Sequence, residues 1–139
     1  MIGSFMLQKT TALLDNFSSK IGLSLPAEML QEESLALELT DDLTLQFEED
    51  LGGSLLWMSI PLFTLASAEM DEKVIELLKK LFPYRRESDA RLLLEPERGQ
   101  LLLASRFLLS TSEEEVVMVH ALEEQVRQLI RLAQQLLKP

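Results

Sequence analysis

Strict alternation between apolar and polar or small residues occurs in two neighbouring segments, LALEL (Leu35–Leu39) and LTLQFE (Leu43–Glu48). Successive side chains of a β-strand point to opposite faces, so each segment presents its leucine and phenylalanine side chains on one face only. The connecting residues TDD suit a tight turn. The pattern therefore predicts an antiparallel hairpin with one buried and one solvated face.

Three further segments have the composition of strands, but they are apolar on both faces. SLLWMSIPLF (Ser54–Phe63) has apolar residues at every even position from 56 to 62, and leucine and tryptophan at odd positions. Because Pro61 has no backbone N–H, this strand should end there or lie at a sheet edge. RLLLE (Arg91–Glu95) and GQLLLASRFLL (Gly99–Leu109), joined by the turn PERG, predict a second hairpin, with the latter strand inside the sheet.

Helical spacing of apolar residues marks three segments, of which the last has the most regular repeat. Gly22 is well placed to end the first helix in a left-handed conformation. Ser112 and Glu115 have the spacing of a capping box before the last helix. The predicted helices are Phe5–Ile21, Asp71–Phe82 and Glu113–Leu137.

The predicted element order is α-β-β-β-α-β-β-α. Runs of strands separated by single helices favour an α+β fold with a single antiparallel sheet and helices packed on one face. The 139 residues correspond to one domain, so we expect a single domain over residues 1–139.

The net charge of −10 excludes some classes of partner. Nucleic-acid binding depends on lysine and arginine neutralising phosphates, and anionic membranes also attract basic segments. We therefore expect neither nucleic acid nor a membrane as a partner. There is no cysteine, and no apolar run long enough to span a bilayer. The sequence MIGSFMLQKTT lacks the pattern of a secretory signal, so we expect a cytoplasmic protein.

Candidate catalytic and metal-binding residues are scarce. His120 is the single histidine, and no P-loop, GxSxG or HExxH signature occurs. The acidic pair at 41–42 and the acidic triplet at 48–50 are separated by a predicted strand. A calcium-binding loop needs its oxygen ligands at alternating positions of one loop, so this spacing does not fit. We therefore expect no catalytic residue, no cofactor and no metal site, and interpret these acids as solvated turns.

Apolar side chains in excess of one core are the unusual feature of the chain. Leu55 and Trp57 lie opposite Leu56 and Met58 on the same strand, and helices on one face cannot cover both sets. Because exposed apolar area disfavours the monomer, we predict a homodimer, the commonest closed assembly. The alternative is that helices cover both faces within one chain. The predicted dimer interface consists of Leu55, Trp57, Ile75, Leu78, Phe82 and Leu93.

Four arginines surround the second hairpin: Arg85, Arg86, Arg91 and Arg98. They form either a solvated basic loop or a contact for acidic residues of a partner. The sequence leaves both interpretations open.

A family resemblance rests on three segments: LLDNFSSKIGLSL near the N-terminus, LTLQF, and GQLLLASRFLLSTSEEE leading into the last helix. Together with element order, length and acidity, they resemble the class I type III secretion chaperones, the Tir-chaperone or CesT-like family. The resemblance covers nearly the whole chain.

The resemblance implies a cytoplasmic homodimer without enzymatic activity that binds the N-terminal segment of secreted effector proteins. Such a chaperone keeps its effectors soluble and competent for secretion. The resemblance also implies the export ATPase of the secretion system as a further partner. We expect the effector-binding surface on the first helix and first hairpin, where the same side chains, above all Leu37 and Leu45, would also suit a core. The predicted effector-binding residues are Phe5, Leu7, Leu14, Leu35, Leu37, Leu45 and Phe47.

Two alternatives stay open. A regulatory or adaptor protein on the same fold would sequester a secretion component or a transcription regulator instead of an effector. A small enzyme would assemble its site across a dimer, although one histidine and no cysteine argue against it.

Overall fold

The computed structural model describes residues 8–22, 34–39, 43–50, 55–86, 88–109 and 114–138. Its elements confirm the predicted order of helices and strands, with one short 3₁₀ turn added after the second helix. They are α1 (Gln8–Lys20), β1 (Ser34–Glu38), β2 (Thr44–Glu49), β3 (Leu55–Thr64), α2 (Ser67–Leu81), the turn Phe82–Tyr84, β4 (Arg91–Glu95), β5 (Gln100–Leu108) and α3 (Glu115–Leu137).

The five strands form one antiparallel sheet in the order β1-β2-β3-β5-β4, which confirms the predicted fold class. β3 and β5 pair along nearly their whole length, from Leu55 opposite Leu108 to Thr64 opposite Gln100. β5 lies between β3 and β4, so this largely apolar strand is an interior strand of the sheet, as predicted. β1 and β4 are the two edges.

Pro61 lies in the part of β3 that pairs with β5 but not with β2. The pairing of β2 with β3 runs only from Leu56 to Ser59, and the register between β3 and β5 is irregular between Pro61 and Phe63. The proline therefore lies at a local edge of the sheet, as its missing N–H requires. The strand does not end there but continues to Thr64.

One face of the sheet, the inner face, packs against all three helices. Phe17 of α1 meets Phe47 of β2 edge-on, with ring centroids 5.8 Å apart. The stripe of α3 that repeats at steps of four and three residues is buried, as the spacing predicts: Met118, Leu122, Val126, Leu129, Ala133 and Leu136. Inward side chains of four strands complete the same cluster: Leu35, Leu37, Leu45, Phe47, Leu56, Met58, Ile60, Leu101, Leu103 and Phe107.

Two helix ends differ from the sequence-based expectation. α2 begins at Ser67, four residues before the predicted start. α3 begins at Glu115 with Glu114 as its N-cap, so Glu115 occupies the first helical position and not the third. Ser112, the other half of the predicted capping box, lies outside the described residues.

The first helix ends as predicted. Gly22 adopts a φ of 86°, and its N–H donates to the carbonyl of Ser19 at 3.1 Å. None of the helices in the described ranges combines the length and the apolar composition needed to cross a membrane.

Replacing Phe47 by alanine should lower the free energy of unfolding by about 3–5 kcal/mol, because the ring is fully buried and its loss leaves a cavity. The neighbouring Gln46→Ala change, on the opposite face, should cost about 1 kcal/mol or less. Urea denaturation of both variants at one protein concentration measures the difference. Equal losses would contradict the assignment of the two faces.

Gly99→Ala should destabilise the chain more than Gly22→Ala, although both glycines have positive φ. A Cβ atom at position 99 would lie 2.6 Å from the carbonyl oxygen of Leu65, whereas nothing lies within 4 Å at position 22. Both changes carry the backbone cost of about 1–2 kcal/mol, and only Gly99→Ala adds a steric clash. Thermal unfolding of the two variants tests this, and a larger loss at position 22 would contradict it.

Candidate functional site

Five of the seven predicted effector-binding side chains lie in the core. Leu14, Leu35, Leu37, Leu45 and Phe47 are each at most 4% exposed. They hold α1 and α3 on the sheet, so an effector could reach them only by displacing that packing. The structure therefore places these five side chains in the core, which the sequence analysis gave as the alternative, and their contact with an effector stays a prediction. The other two, Phe5 and Leu7, lie outside the described residues.

The outer face of the sheet carries the second apolar set that the sequence predicted. Trp57 lies opposite Arg106 on β5, and Leu93 of β4 lies opposite Leu102. Leu55 shares the same face and pairs with Leu108, whose side chain is 70% exposed. The three described helices all contribute to the cluster beneath the opposite face.

A concavity of about 700 Å³, which we call the outer groove, crosses this face. Its central row follows one line of cross-strand neighbours through all five strands: Ala36, Gln46, Ser59, Ala104 and Arg91. Trp57 stands on one side of this row, and Leu93 and Leu102 stand on the other. Ala36, Ser59 and Ala104 have short side chains, so these positions of the row lie lower than the apolar walls on either side.

Charges divide the outer groove into two ends. At the β1–β2 end the groove is lined by Glu48, whose exposed carboxylate forms no ion pair within the described part of the chain. At the β4 end the groove is lined by Glu95 and Arg98, whose side chains pair at 3.6 Å. The β1–β2 end of the groove is therefore acidic, whereas the two charges at the β4 end balance each other.

A second exposed apolar surface lies on α2. Its members, which we call the α2 stripe, are Ile75, Leu78 and Phe82, with 55%, 49% and 61% of their surface exposed. Leu77, on the opposite side of the helix, is buried in the core. A cavity of about 380 Å³ separates the stripe from Leu92 of β4.

The six predicted dimer residues therefore fall into two groups on different sides of the sheet. Leu55, Trp57 and Leu93 belong to the outer face, whereas the α2 stripe lies on the helix side. Leu94, which the sequence analysis did not single out, is 50% exposed and points to the helix side of β4. The run of three leucines in RLLLE could have indicated Leu94, because three consecutive leucines make both faces of a strand apolar.

Polar groups hold the loop before β4 against β5 and α3. The hydroxyl of the buried Ser105 donates to the carboxylate of Asp89 at 2.9 Å, and the amide of Gln125 donates to the Ser105 oxygen at 2.7 Å. Arg106, 3.8 Å from the same carboxylate, also lies over the ring of Trp57. This network explains the polar Ser105 among the inward apolar residues of β5.

Among the described residues, His120, Glu123 and Glu124 bring potential metal ligands within 4.8 Å of one another. The two carboxylate oxygens of Glu123 already face cations, Lys20 at 3.5 Å and Arg127 at 3.2 Å. The arrangement is therefore an ion-pair network that ties α1 to α3.

The four arginines around the second hairpin do not act as one basic patch. Arg85 lies over the ring of Phe82 and donates to its carbonyl oxygen at 3.0 Å, so it belongs to the α2 stripe. Arg98 pairs with Glu95 of its own hairpin, and Arg91 lines the cavity between the α2 stripe and β4. On α2 itself, a hydrogen bond from Lys73 lowers the pKa of Glu76.

Comparison with protein-family models and with curated protein sequences finds no match. Solved structures with the same fold do match. A chain of the HopA1–SchA chaperone–effector complex is 14% identical with a TM-score of 0.69, and the match covers 94% of both chains. A chain of the heterodimeric ExoU–SpcU complex from the type III secretion system of Pseudomonas aeruginosa is 18% identical with a TM-score of 0.63, covering 89% of this chain and 94% of that one.

A chain of the ExsC–ExsE complex is 15% identical with a TM-score of 0.63, and the match covers 93% of this chain and 91% of the other. At such identities the likeness establishes the fold. The resemblance noted in the sequence is therefore confirmed at that level: the chain has the α+β fold found in type III secretion chaperone–effector complexes.

Proposed function

We propose that this protein is a type III secretion chaperone that binds the N-terminal segment of one or more exported effectors and keeps them soluble and competent for export. The observation that carries the proposal is a fold shared over 94% of both chains with a chaperone–effector complex. Two exposed apolar surfaces on one small acidic chain suit a protein whose task is to bind other chains.

Binding alone would account for this activity, so we propose a non-enzymatic role in the cytoplasm, where effectors are met before export. An unfolded effector segment exposes apolar side chains, and the net charge of −10 would keep the complex soluble. Contact with the export ATPase stays a prediction. The alternative of a regulatory adaptor differs only in the partner, so the identity of the copurified protein separates the two.

The homodimer is part of this proposal. Of the six predicted interface residues, its interface includes only the three of the α2 stripe. A second copy that packs against the α2 stripe also covers Leu94, because both lie on the helix side at the β4 edge. A two-fold axis there would bring the same patch of each copy together, as closed dimers require. Leu55, Trp57 and Leu93 then remain on the outer face.

Replacing Leu78 by glutamate should convert the dimer to a monomer, because a charge at the centre of the α2 stripe would be buried without a partner. Light scattering on a size-exclusion column should give about twice 15.8 kDa for the unmodified chain and 15.8 kDa for Leu78→Glu. Glu69→Lys, a charge change at an exposed position of the same helix that does not share the face of the α2 stripe, is the control and should stay dimeric. A monomeric unmodified chain at micromolar concentration would rule out the dimer.

Co-expression with exported proteins encoded near this one should yield a stable complex that copurifies and is more soluble than the effector alone. The matched control is the same effector without its N-terminal segment, which should not be retained. Retention of the truncated effector would contradict binding through the N-terminal segment. If no exported protein copurifies or is solubilised, the chaperone function is wrong.

A further inference from the structure

Charge is separated along α2 and the turn that follows it. Acidic residues lie near the start of the helix, and basic residues lie in its last turn and just beyond it. The helix macrodipole favours this order only within the first and last turns. Asp71 and Glu72, the acid pair, lie in the second turn, and Arg85 and Arg86, the arginine pair, follow the helix. The macrodipole therefore does not account for these four residues.

The acid pair is not neutralised by the lysine beside it in the sequence. Lys73 pairs with Glu76 at 2.9 Å and also lies over the ring of Phe63, 4.6 Å from its centroid. Its charge is thus engaged by other groups. Asp71 and Glu72 are both exposed, and neither forms an ion pair within the described ranges.

The arginine pair also has no carboxylate partner in the described part of the chain. Arg85 lies over the ring of Phe82, 3.9 Å from its centroid, and donates to the Phe82 carbonyl oxygen at 3.0 Å. These contacts hold the guanidinium beside the α2 stripe. Its charge, and that of the exposed Arg86, are therefore available to acids of another chain.

The position of the two pairs relative to the α2 stripe gives them a symmetric arrangement. Residues three or four apart share a helix face, so the acid pair flanks Ile75 at one end of the stripe. The arginine pair follows Phe82 at the other end. The midpoint of the stripe lies between residues 78 and 79, about 10 Å along the axis from Glu72 and from Arg85 at about 1.5 Å per residue.

Two α2 helices that pack antiparallel about this midpoint place the acid pair of each copy opposite the arginine pair of the other. A two-fold axis through the stripe produces both contacts at once. A parallel arrangement would place like charges together at both ends, and such contacts suppress the wrong pairing. The charge order of α2 therefore fits a second copy in one direction only.

We propose that the separated charges of α2 align two copies antiparallel, with the acid pair of each copy against the arginine pair of the other. This inference rests on the proposed dimer through the α2 stripe. It adds the direction of the helices, their register and the residues that select a second copy as the partner. An apolar surface without matching charges at its two ends is discriminated against by the same four residues.

Two chains with reversed charges test the pairing. The acid-reversed chain carries Asp71→Lys with Glu72→Lys, and the base-reversed chain carries Arg85→Glu with Arg86→Glu. Like charges would face each other at both ends of either homodimer, so its dissociation constant should rise by at least about tenfold. In a mixture, opposite charges face each other at both ends, and a heterodimer should form with about the affinity of the unmodified dimer.

Native mass spectrometry resolves the possible dimers, because the two reversed chains differ in mass. A chain with all four changes has opposite charges facing again and should be a homodimer. Glu69→Lys is the control, since it changes a charge at an exposed position of the same helix away from the stripe, and it should dimerise like the unmodified chain. Circular dichroism of each chain confirms that the fold is retained.

Three results would overturn the inference. Both reversed chains dimerise like the unmodified chain, or their mixture forms no heterodimer, or Glu69→Lys weakens the dimer as much as the reversals do.

The proposed interface has a readout of its own. If Leu78→Glu is monomeric but the mixture forms no heterodimer, the α2 stripe is the interface and the direction proposed for α2 is wrong. If Leu78→Glu remains a dimer, or the unmodified chain is a monomer, the interface itself is wrong and the inference fails with it. Copurification of an effector tests the chaperone function independently of both.

Discussion

Packing of α1 and α3 onto the inner face of the sheet is the contact on which the other surfaces depend. Phe17 and Phe47 meet edge-on within it, and the fully buried Leu45, Leu56 and Leu103 come from three different strands. Because the described helices all cover this face, the apolar side chains of the outer face have no cover from them. The surfaces available to partners are therefore a consequence of how the core is built.

The two apolar surfaces lie on different sides of the sheet and do not compete. The α2 stripe, with Leu94 beside it, faces outward on the helix side, whereas Trp57 and Leu93 line the outer groove. A dimer built through the first would leave the second open in both copies. Occupation of the groove and dimerisation through the α2 stripe would thus be compatible in one assembly.

A polar network connects the outer groove to the rest of the fold. Gln125 of α3 donates to Ser105, Ser105 donates to Asp89, and Arg106 lies between the same carboxylate and the Trp57 ring. These bonds hold the loop before β4 in place and limit the freedom of one wall of the groove. A wall that is already ordered loses less conformational entropy when a partner binds.

Much of this architecture follows from local patterns. The period of two in LTLQFE and of 3.6 in the last helix determined which side chains share a face, because those periods are properties of the backbone itself. The left-handed Gly22 at the end of α1 and the edge position of Pro61 likewise follow from the chemistry of single residues.

The sequence by itself thus determined the elements, their order, the acidic surface and the presence of more apolar side chains than one core needs. Only the tertiary structure decided what each face meets. Leu35 and Phe47 looked equally suited to a client or a core, and they are core because α1 and α3 lie above them. The six residues expected at one interface separate because β3 and β4 turn Trp57 and Leu93 away from α2. The groove itself arises from cross-strand register, which places Ala36, Ser59 and Ala104 in one row although they are far apart in the chain.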